Sequence, residues 1–369
     1  MRKTKLLLPI IGISALTSVA IPLAGCSCKK GGGGGEDEKT PLCFTDVAGD
    51  GESAKISYTI VDGSLPDIQI QVSKDAKIWS PWDGTEITLN DGGKIYVKNN
   101  ANSLSKQGKT FKFSMTAPVS ASGNVNSMIN YSGLSDHCFQ NMFRDCAFLT
   151  QAPELPATTL KQYCYTSMFQ GCTSLVAAPA LPAKNLDSSC YDSLFLGCTK
   201  ITQAPELPAT TLAPNCYQAM FNNCSLLNKA PQLPAKKLVY HCYTSMFRGC
   251  TALSTPPEFK DITFERSDET TKAEGCCLQM FQSCTALVKA PKLTKEEPLN
   301  ETYKSMFEGC TNLKIQCDPL SPSNNDEDTW IFDYPAETTW IGIDDMFKNT
   351  GGTFEGTPVS GYRYSWYTE

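Results

Sequence analysis

Apolar and polar positions along this chain repeat with one dominant period. Met-Phe recurs at Met142-Phe143, Met168-Phe169, Met220-Phe221, Met246-Phe247, Met280-Phe281, Met306-Phe307 and Met346-Phe347, with Leu194-Phe195 as a variant. The first four intervals are 26 residues and the next three are 34, 26 and 40. In its second copy the unit reads Cys164-Tyr165-Thr166-Ser167-Met168-Phe169-Gln170-Gly171-Cys172-Thr173-Ser174-Leu175, then Ala178-Pro179-Ala180-Leu181-Pro182-Ala183 and Leu186. Cys164, Met168 and Cys172 stand at i, i+4 and i+8, which predicts one stripe of a short helix. Gly171 is placed to stop that helix in the left-handed region. Pro179 and Pro182 exclude helix from the next segment, where Leu175, Ala178 and Leu181 predict an inward-facing extended stretch. One unit cannot bury this face alone, so neighbours must stack.

A second pattern precedes the repeat. Ile56-Ser57-Tyr58-Thr59-Ile60, Ile68-Gln69-Ile70-Gln71-Val72, Glu86-Ile87-Thr88-Leu89, Lys94-Ile95-Tyr96-Val97-Lys98 and Thr110-Phe111-Lys112-Phe113-Ser114-Met115 alternate apolar with polar. Asp62-Gly63, Asp83-Gly84 and Asp91-Gly92-Gly93 separate them as turns, which predicts a small antiparallel β-sandwich-like domain.

The motif Met-Phe-x-Gly-Cys-Thr-x-Leu followed by Leu-Pro resembles the BspA-like leucine-rich repeats of bacterial surface lipoproteins over roughly residues 130–350. It departs from them in a longer unit, an added Ala-Pro and Met in place of Ala. The fold class expected is an α/β repeat, a leucine-rich-repeat-type solenoid preceded by a small β-sandwich-like domain. The resemblance implies adhesion to host or neighbouring cells by protein binding.

The first residues change where such a body would sit. Arg2, Lys3 and Lys5 precede an apolar run (6–23) that ends in Leu23-Ala24-Gly25-Cys26. This is the layout of a signal peptide, and its ending resembles a bacterial lipobox with Cys26 as the lipidated residue. An uncleaved membrane anchor is the alternative, weakened as a spanning helix by Pro9 and Pro22. Lys29, Lys30, the glycines at 31–35 and Glu36-Asp37-Glu38 then read as a flexible tether. The expected organisation is signal peptide 1–25, tether 26–40, β-rich domain 41–125, about eight repeat units 126–350, and a C-terminal cap 351–369. The interval between the fifth and sixth units carries eight extra residues around 260–272, a polar surface loop by composition. The eighth unit replaces both repeat cysteines by Gly342 and Thr350, and the tail holds Tyr362, Tyr364, Trp366 and Tyr367.

Charge narrows the partners. Without the three basic residues of the leader the chain carries 29 basic and 38 acidic residues, a net charge of −9, which argues against nucleic acid. The 18 cysteines of an exported chain invite a disulfide framework. Thirteen of them occupy the repeating positions, from Cys138 and Cys146 to Cys310. On helical units they would lie about 12 Å apart within a unit and about 8–10 Å apart between units, beyond the roughly 7 Å reach of a bridge. Buried free thiols follow. No zinc-ligand spacing is present, and the adjacent pair Cys276-Cys277 has no place in this scheme.

Catalytic chemistry finds no motif, and no cofactor or metal is expected. His137 and His241 precede the first cysteine of a unit, a position shared by Ser189 and Asn215, and read as tolerated outer residues. Asn324-Asn325-Asp326-Glu327-Asp328 lacks the spacing of a calcium loop. Trp79, Trp82 and Tyr96 are either core residues or a sugar-stacking platform, so glycan binding stays open, as does a structural envelope role. Repeat stacks recognise partners through exposed positions that vary over a constant core. Here these flank Ala-Pro: Gln151, Glu154, Gln203, Glu206, Lys229, Gln232, Thr255, Glu258, Lys289 and Lys292. They run from acidic toward basic, either as a strip that orients a protein partner or as surface drift.

Overall fold

The computed structural model describes residues 40–49, 51, 53–65, 67–130, 133–259, 261–291, 293, 298–313, 345–351, 353–354 and 357–358. Eight strands come first: β1 Leu42–Asp46, β2 Lys55–Val61, β3 Gln71–Ser73, β4 Ser80–Pro81, β5 Ile87–Thr88, β6 Lys94–Lys98, β7 Thr110–Met115 and β8 Val119–Ser122. The repeat adds β9 Leu149–Gln151, β10 Lys237–Leu238 and β11 Thr263–Phe264, and a hairpin β12 Thr353–Phe354 with β13 Thr357–Pro358 follows. One sheet runs β4-β3-β6-β1-β8-β9 and another β5-β2-β7. Their inner faces meet through alternating apolar residues, with Phe44 of β1 edge-on to Phe113 of β7 at 4.9 Å between ring centres.

The repeat is not helical, and the α/β leucine-rich-repeat class expected from sequence is overturned. Among the described residues there is no α-helix, only a 3₁₀ turn at Val125–Met128. No helix is long and apolar enough to cross a membrane among those residues. The Met-Phe segments are ribbons of overlapping turns. In the second unit Cys164, Thr166, Met168, Gln170 and Cys172 donate their N–H to the carbonyls three residues back, at 3.1–3.2 Å. The residues between them, Tyr163, Tyr165, Ser167, Phe169 and Gly171, donate instead to Ser188, Cys190, Asp192, Leu194 and Leu196 of the next unit, at 2.8–3.1 Å. Half of the N–H groups close turns and half bind units together.

Every fourth residue of this ribbon has positive φ: Tyr163 (56°), Ser167 (53°) and Gly171 (73°) in the second unit. An α-helix admits no such residue in its interior, because every φ must be negative. The third of these sites is filled by Asp145, Gly171, Gly197, Asn223, Gly249, Ser283, Gly309 and Asn349. Glycine, asparagine and aspartate tolerate left-handed backbone best. Because the ribbon repeats every four residues, Cys164, Met168 and Cys172 still share one side, and Tyr165 and Phe169 join them in full burial.

In-register stacking builds columns of identical side chains. Phe143, Phe169, Phe195, Phe221, Phe247, Phe281, Phe307 and Phe347 stack with ring centres 5.5–5.8 Å apart. Phe139, Tyr165, Tyr191, Tyr217 and Tyr243 form a second column at 5.7–6.0 Å. The phenylalanine column begins in the β-rich region. Phe113 of β7 lies 5.4 Å from Phe143, donates its N–H to the Met142 carbonyl at 2.9 Å, and accepts the Cys146 thiol at 3.1 Å. β9 of the first unit likewise continues the larger sheet by parallel pairing with β8. Strand β7 is thus the rung on which the repeat starts.

The Cys276-Cys277 pair acquires a reason here. Cys277 stands where the second to fifth and the seventh units place a tyrosine, so a ring is missing. The segment between the fifth and sixth units fills the gap. Phe259 packs edge-on to Tyr243 at 6.5 Å, and Phe264 packs edge-on to Tyr303 at 6.1 Å. Both are buried, as are Ile262 and Ala273, and β11 pairs with β10. The polar loop expected there is therefore partly core, with Lys260 outside the described residues. Gly342 and the aromatic tail residues also lie outside them, while Thr350 bonds the Phe347 carbonyl of its own unit at 2.9 Å.

Cys277→Tyr overpacks this site and should lower stability by about 1–3 kcal/mol, and Phe264→Ala should lower it by about 3–5 kcal/mol. Denaturant unfolding of the double variant should show it more stable than Phe264→Ala alone. Simple additivity of the two losses would refute the exchange of rings.

Candidate binding face

The first four units leave the aromatic ribbon through Cys-x-x-Leu or Cys-x-x-Ile and cross to Ala-Pro-x-Leu-Pro-Ala. The leucines Leu155, Leu181, Leu207 and Leu233 and the alanines Ala157, Ala183, Ala209 and Ala235 are buried. The residues before Ala-Pro and after it turn outward. Gln151, Glu154, Gln203, Glu206, Lys229, Gln232, Thr255, Glu258 and Lys289 are all exposed, and Lys292 lies outside the described residues. Parallel bridges join Gln203 to Lys229 and Lys229 to Thr255, so these positions form one column down the stack.

Two shallow grooves lie on this face. The larger, about 450 Å³, brings together Gln203, Glu206, Lys229 and Gln232 with Pro205, Pro208, Pro231 and Pro234. The other, about 360 Å³, lies between the first two units and holds Glu154 with Pro153, Pro156, Pro179, Ala180 and Pro182. Gln151, Thr255, Glu258 and Lys289 line neither groove. Two positions of the column escaped the sequence reading because they are apolar: Ala177 and Ala180 occupy in the second unit the places of Gln151 and Glu154, and both are exposed. A further signal was available. Residues 150–160 and 202–212 are the same eleven-residue sequence, so the first and third units present identical faces on either side of the apolar second one.

The other candidate groups are structural. Trp82 is core: its Nε1 donates to the Thr85 carbonyl at 2.7 Å and its ring meets Tyr58 at 4.9 Å. Trp79 lies under the Lys98 ammonium, 4.1 Å from its ring centre. No sugar platform of Trp79, Trp82 and Tyr96 is assembled. His137 stacks on Tyr163 at 4.8 Å, and both histidines occupy left-handed turn positions rather than an outer helix. Burial lowers the His241 pKa, and its Nδ1 lies 2.8 Å from the Thr244 hydroxyl. No cluster of three histidine, cysteine or carboxylate side chains is poised for a metal among the described residues. The run 324–328 lies outside them.

All fifteen described cysteines are free and buried, but not for the expected reason. Hydrogen-bonded units repeat at strand spacing, about 4.8 Å, so separation does not prevent bridging as the helical estimate of 8–10 Å held. The second cysteine of each unit instead donates its thiol to a phenylalanine carbonyl of the unit before, as Cys172 to Phe143, Cys198 to Phe169, Cys224 to Phe195 and Cys250 to Phe221, at 3.0–3.1 Å. Burial pushes Cys138 up to about 11 and Cys146, Cys198, Cys216 and Cys310 up to about 12. These are inert thiols, since the thiolate is the reactive form.

No protein-family model, curated protein or solved structure matches the chain. The likeness to BspA-like repeats therefore rests on the Met-Phe-x-Gly-Cys-Thr-x-Leu motif alone.

A thiol whose folded pKa lies above its unfolded value stabilises the fold below the unfolded pKa, near 9, and loses that contribution as pH rises toward 12. Each such thiol should remove roughly 1 kcal/mol of stability per pH unit in that window, giving cooperative alkaline unfolding. Below pH 9 a colorimetric thiol reagent should leave the repeat cysteines unmodified until denaturant is added. Rapid labelling of the folded chain at pH 8 would contradict their burial.

Proposed function

We propose that this chain is an exported, non-catalytic binding protein, held to a membrane by acyl chains on Cys26, that recognises other proteins through the Ala-Pro face of its stacked repeat. The observation that carries this reading is the register of Gln203, Lys229 and Thr255. Backbone pairing sets these exposed, differing side chains in a column, with Leu207, Ala209, Leu233 and Ala235 buried beneath the first two and Phe259 buried beneath the third. Such a surface changes specificity without disturbing the core. The lipobox-like Leu23-Ala24-Gly25-Cys26 and the tether after it support display at a membrane surface. The motif resemblance points to adhesion to host or neighbouring cells, with extracellular proteins as partners and no nucleic acid.

In a bacterial host, labelled palmitate should enter the chain and pellet with membranes, and Cys26→Ser should abolish both. Cells displaying the chain should adhere to immobilised extracellular-matrix proteins, and Glu206→Lys with Lys229→Glu should weaken adhesion at least tenfold. Adhesion indifferent to these reversals, or none above that of cells lacking the chain, would overturn the binding role and leave a structural envelope component.

A further inference from the structure

The groove between the first and second units is lined by apolar residues with one carboxylate, Glu154, among them. Pro153, Leu155, Pro156, Pro179, Ala180 and Pro182 line it. Proline contributes no N–H, so this backbone offers carbonyl acceptors and few donors. A carboxylate stands one unit away on each side of Ala180: Glu154 before it and Glu206 after it, in identical eleven-residue settings. Both are exposed and neither is ion-paired among the described residues. A proline-rich floor with few donors and two carboxylates beside it is complementary to a ligand that carries donors and positive charge on apolar stems. Arginine fits best, with five donors, no acceptor and an aliphatic stem that lies along proline rings.

Spacing selects the ligand's conformation. Units repeat at about 4.8 Å, so corresponding atoms of the first and third units lie about 10 Å apart. A polyproline II segment has three residues per turn and rises about 3.1 Å per residue, so residues i and i+3 share one edge about 9.3 Å apart. In a β-strand, residues three apart point to opposite faces, and those two apart are separated by only about 7 Å.

Building on the binding role of the Ala-Pro face, we propose that this groove receives a polyproline II segment of a partner protein, bearing Arg-x-x-Arg, whose guanidinium groups pair with Glu154 and Glu206. An apolar residue between the arginines lies over Ala180.

Fluorescence anisotropy of the full chain with labelled peptides tests this. Pro-Arg-Leu-Pro-Arg-Pro should bind at least tenfold more tightly than Pro-Arg-Leu-Arg-Pro-Pro, which shortens the arginine spacing, or Pro-Glu-Leu-Pro-Glu-Pro. Glu154→Gln and Glu206→Gln should each weaken the first peptide three- to tenfold, while Glu258→Gln should not. Ala180→Arg should abolish binding with an unchanged melting temperature, and Ala177→Arg serves as a second block. Equal affinity for the two arginine spacings, or binding unmoved by the Glu154 and Glu206 variants, would overturn the proposal as mere charge attraction; so would no binding at all. If the peptide fails while adhesion still responds to the Glu206 and Lys229 reversals, only this inference falls. If adhesion also fails to respond, the binding role falls with it.

Discussion

Everything regular in this molecule follows from one hydrogen-bond rule: alternate residues of the turn ribbon donate their N–H to the next unit rather than to their own. The rule sets the distance between units to that of neighbouring strands and holds them in register. Phe143, Phe169, Phe195, Phe221, Phe247, Phe281 and Phe307 each bond the residue before the next phenylalanine, at 2.9–3.0 Å throughout. The eight-residue expansion between the fifth and sixth units leaves this ladder intact, because the extra chain enters beyond the Ala-Pro segment. Phe264, which it brings back, and Phe259, at the fifth unit's leucine position just before it, take the place of the ring that Cys277 lacks.

Register then decides side-chain chemistry. Identical positions must face one another at about the thickness of an aromatic ring plus contact, so flat rings stack and tolerate repetition. The cysteine columns obey the same constraint. A thiol is small enough to sit beneath the ring columns, packs as a hydrophobe, and still satisfies a carbonyl acceptor. A β-branched residue would crowd the turn, and among the described residues none of the left-handed sites holds one. The first unit needs a partner below it, and β7 supplies one by offering Phe113 in the geometry of a repeat phenylalanine.

The Ala-Pro face inherits its freedom from that core. The ribbon side carries the continuous ladder, whereas the proline side is joined by isolated bridges and by the short β10–β11 pair. Prolines cannot extend a ladder of N–H donors, so this side remains a surface of grooves and outward side chains.

Composition and spacing alone determined the unit, its period, the inward set of cysteines, methionines, phenylalanines and leucines, the strands at β2, β6 and β7, and the outward residues beside Ala-Pro. These are legible because burial is written in the choice of residue. The backbone path was not. Apolar residues four apart fit both a helix and a four-residue turn ribbon, and only the partners of the N–H groups distinguish the two. Those partners lie 25 residues away or more, beyond any local pattern, although the glycine, asparagine or aspartate at the third left-handed site of every unit but the sixth bears its trace. The exchange of Tyr for Cys277, the role of Phe113 as a rung and the apolar break at Ala177 and Ala180 were likewise settled by stacking, because each is a relation between units rather than a property of one.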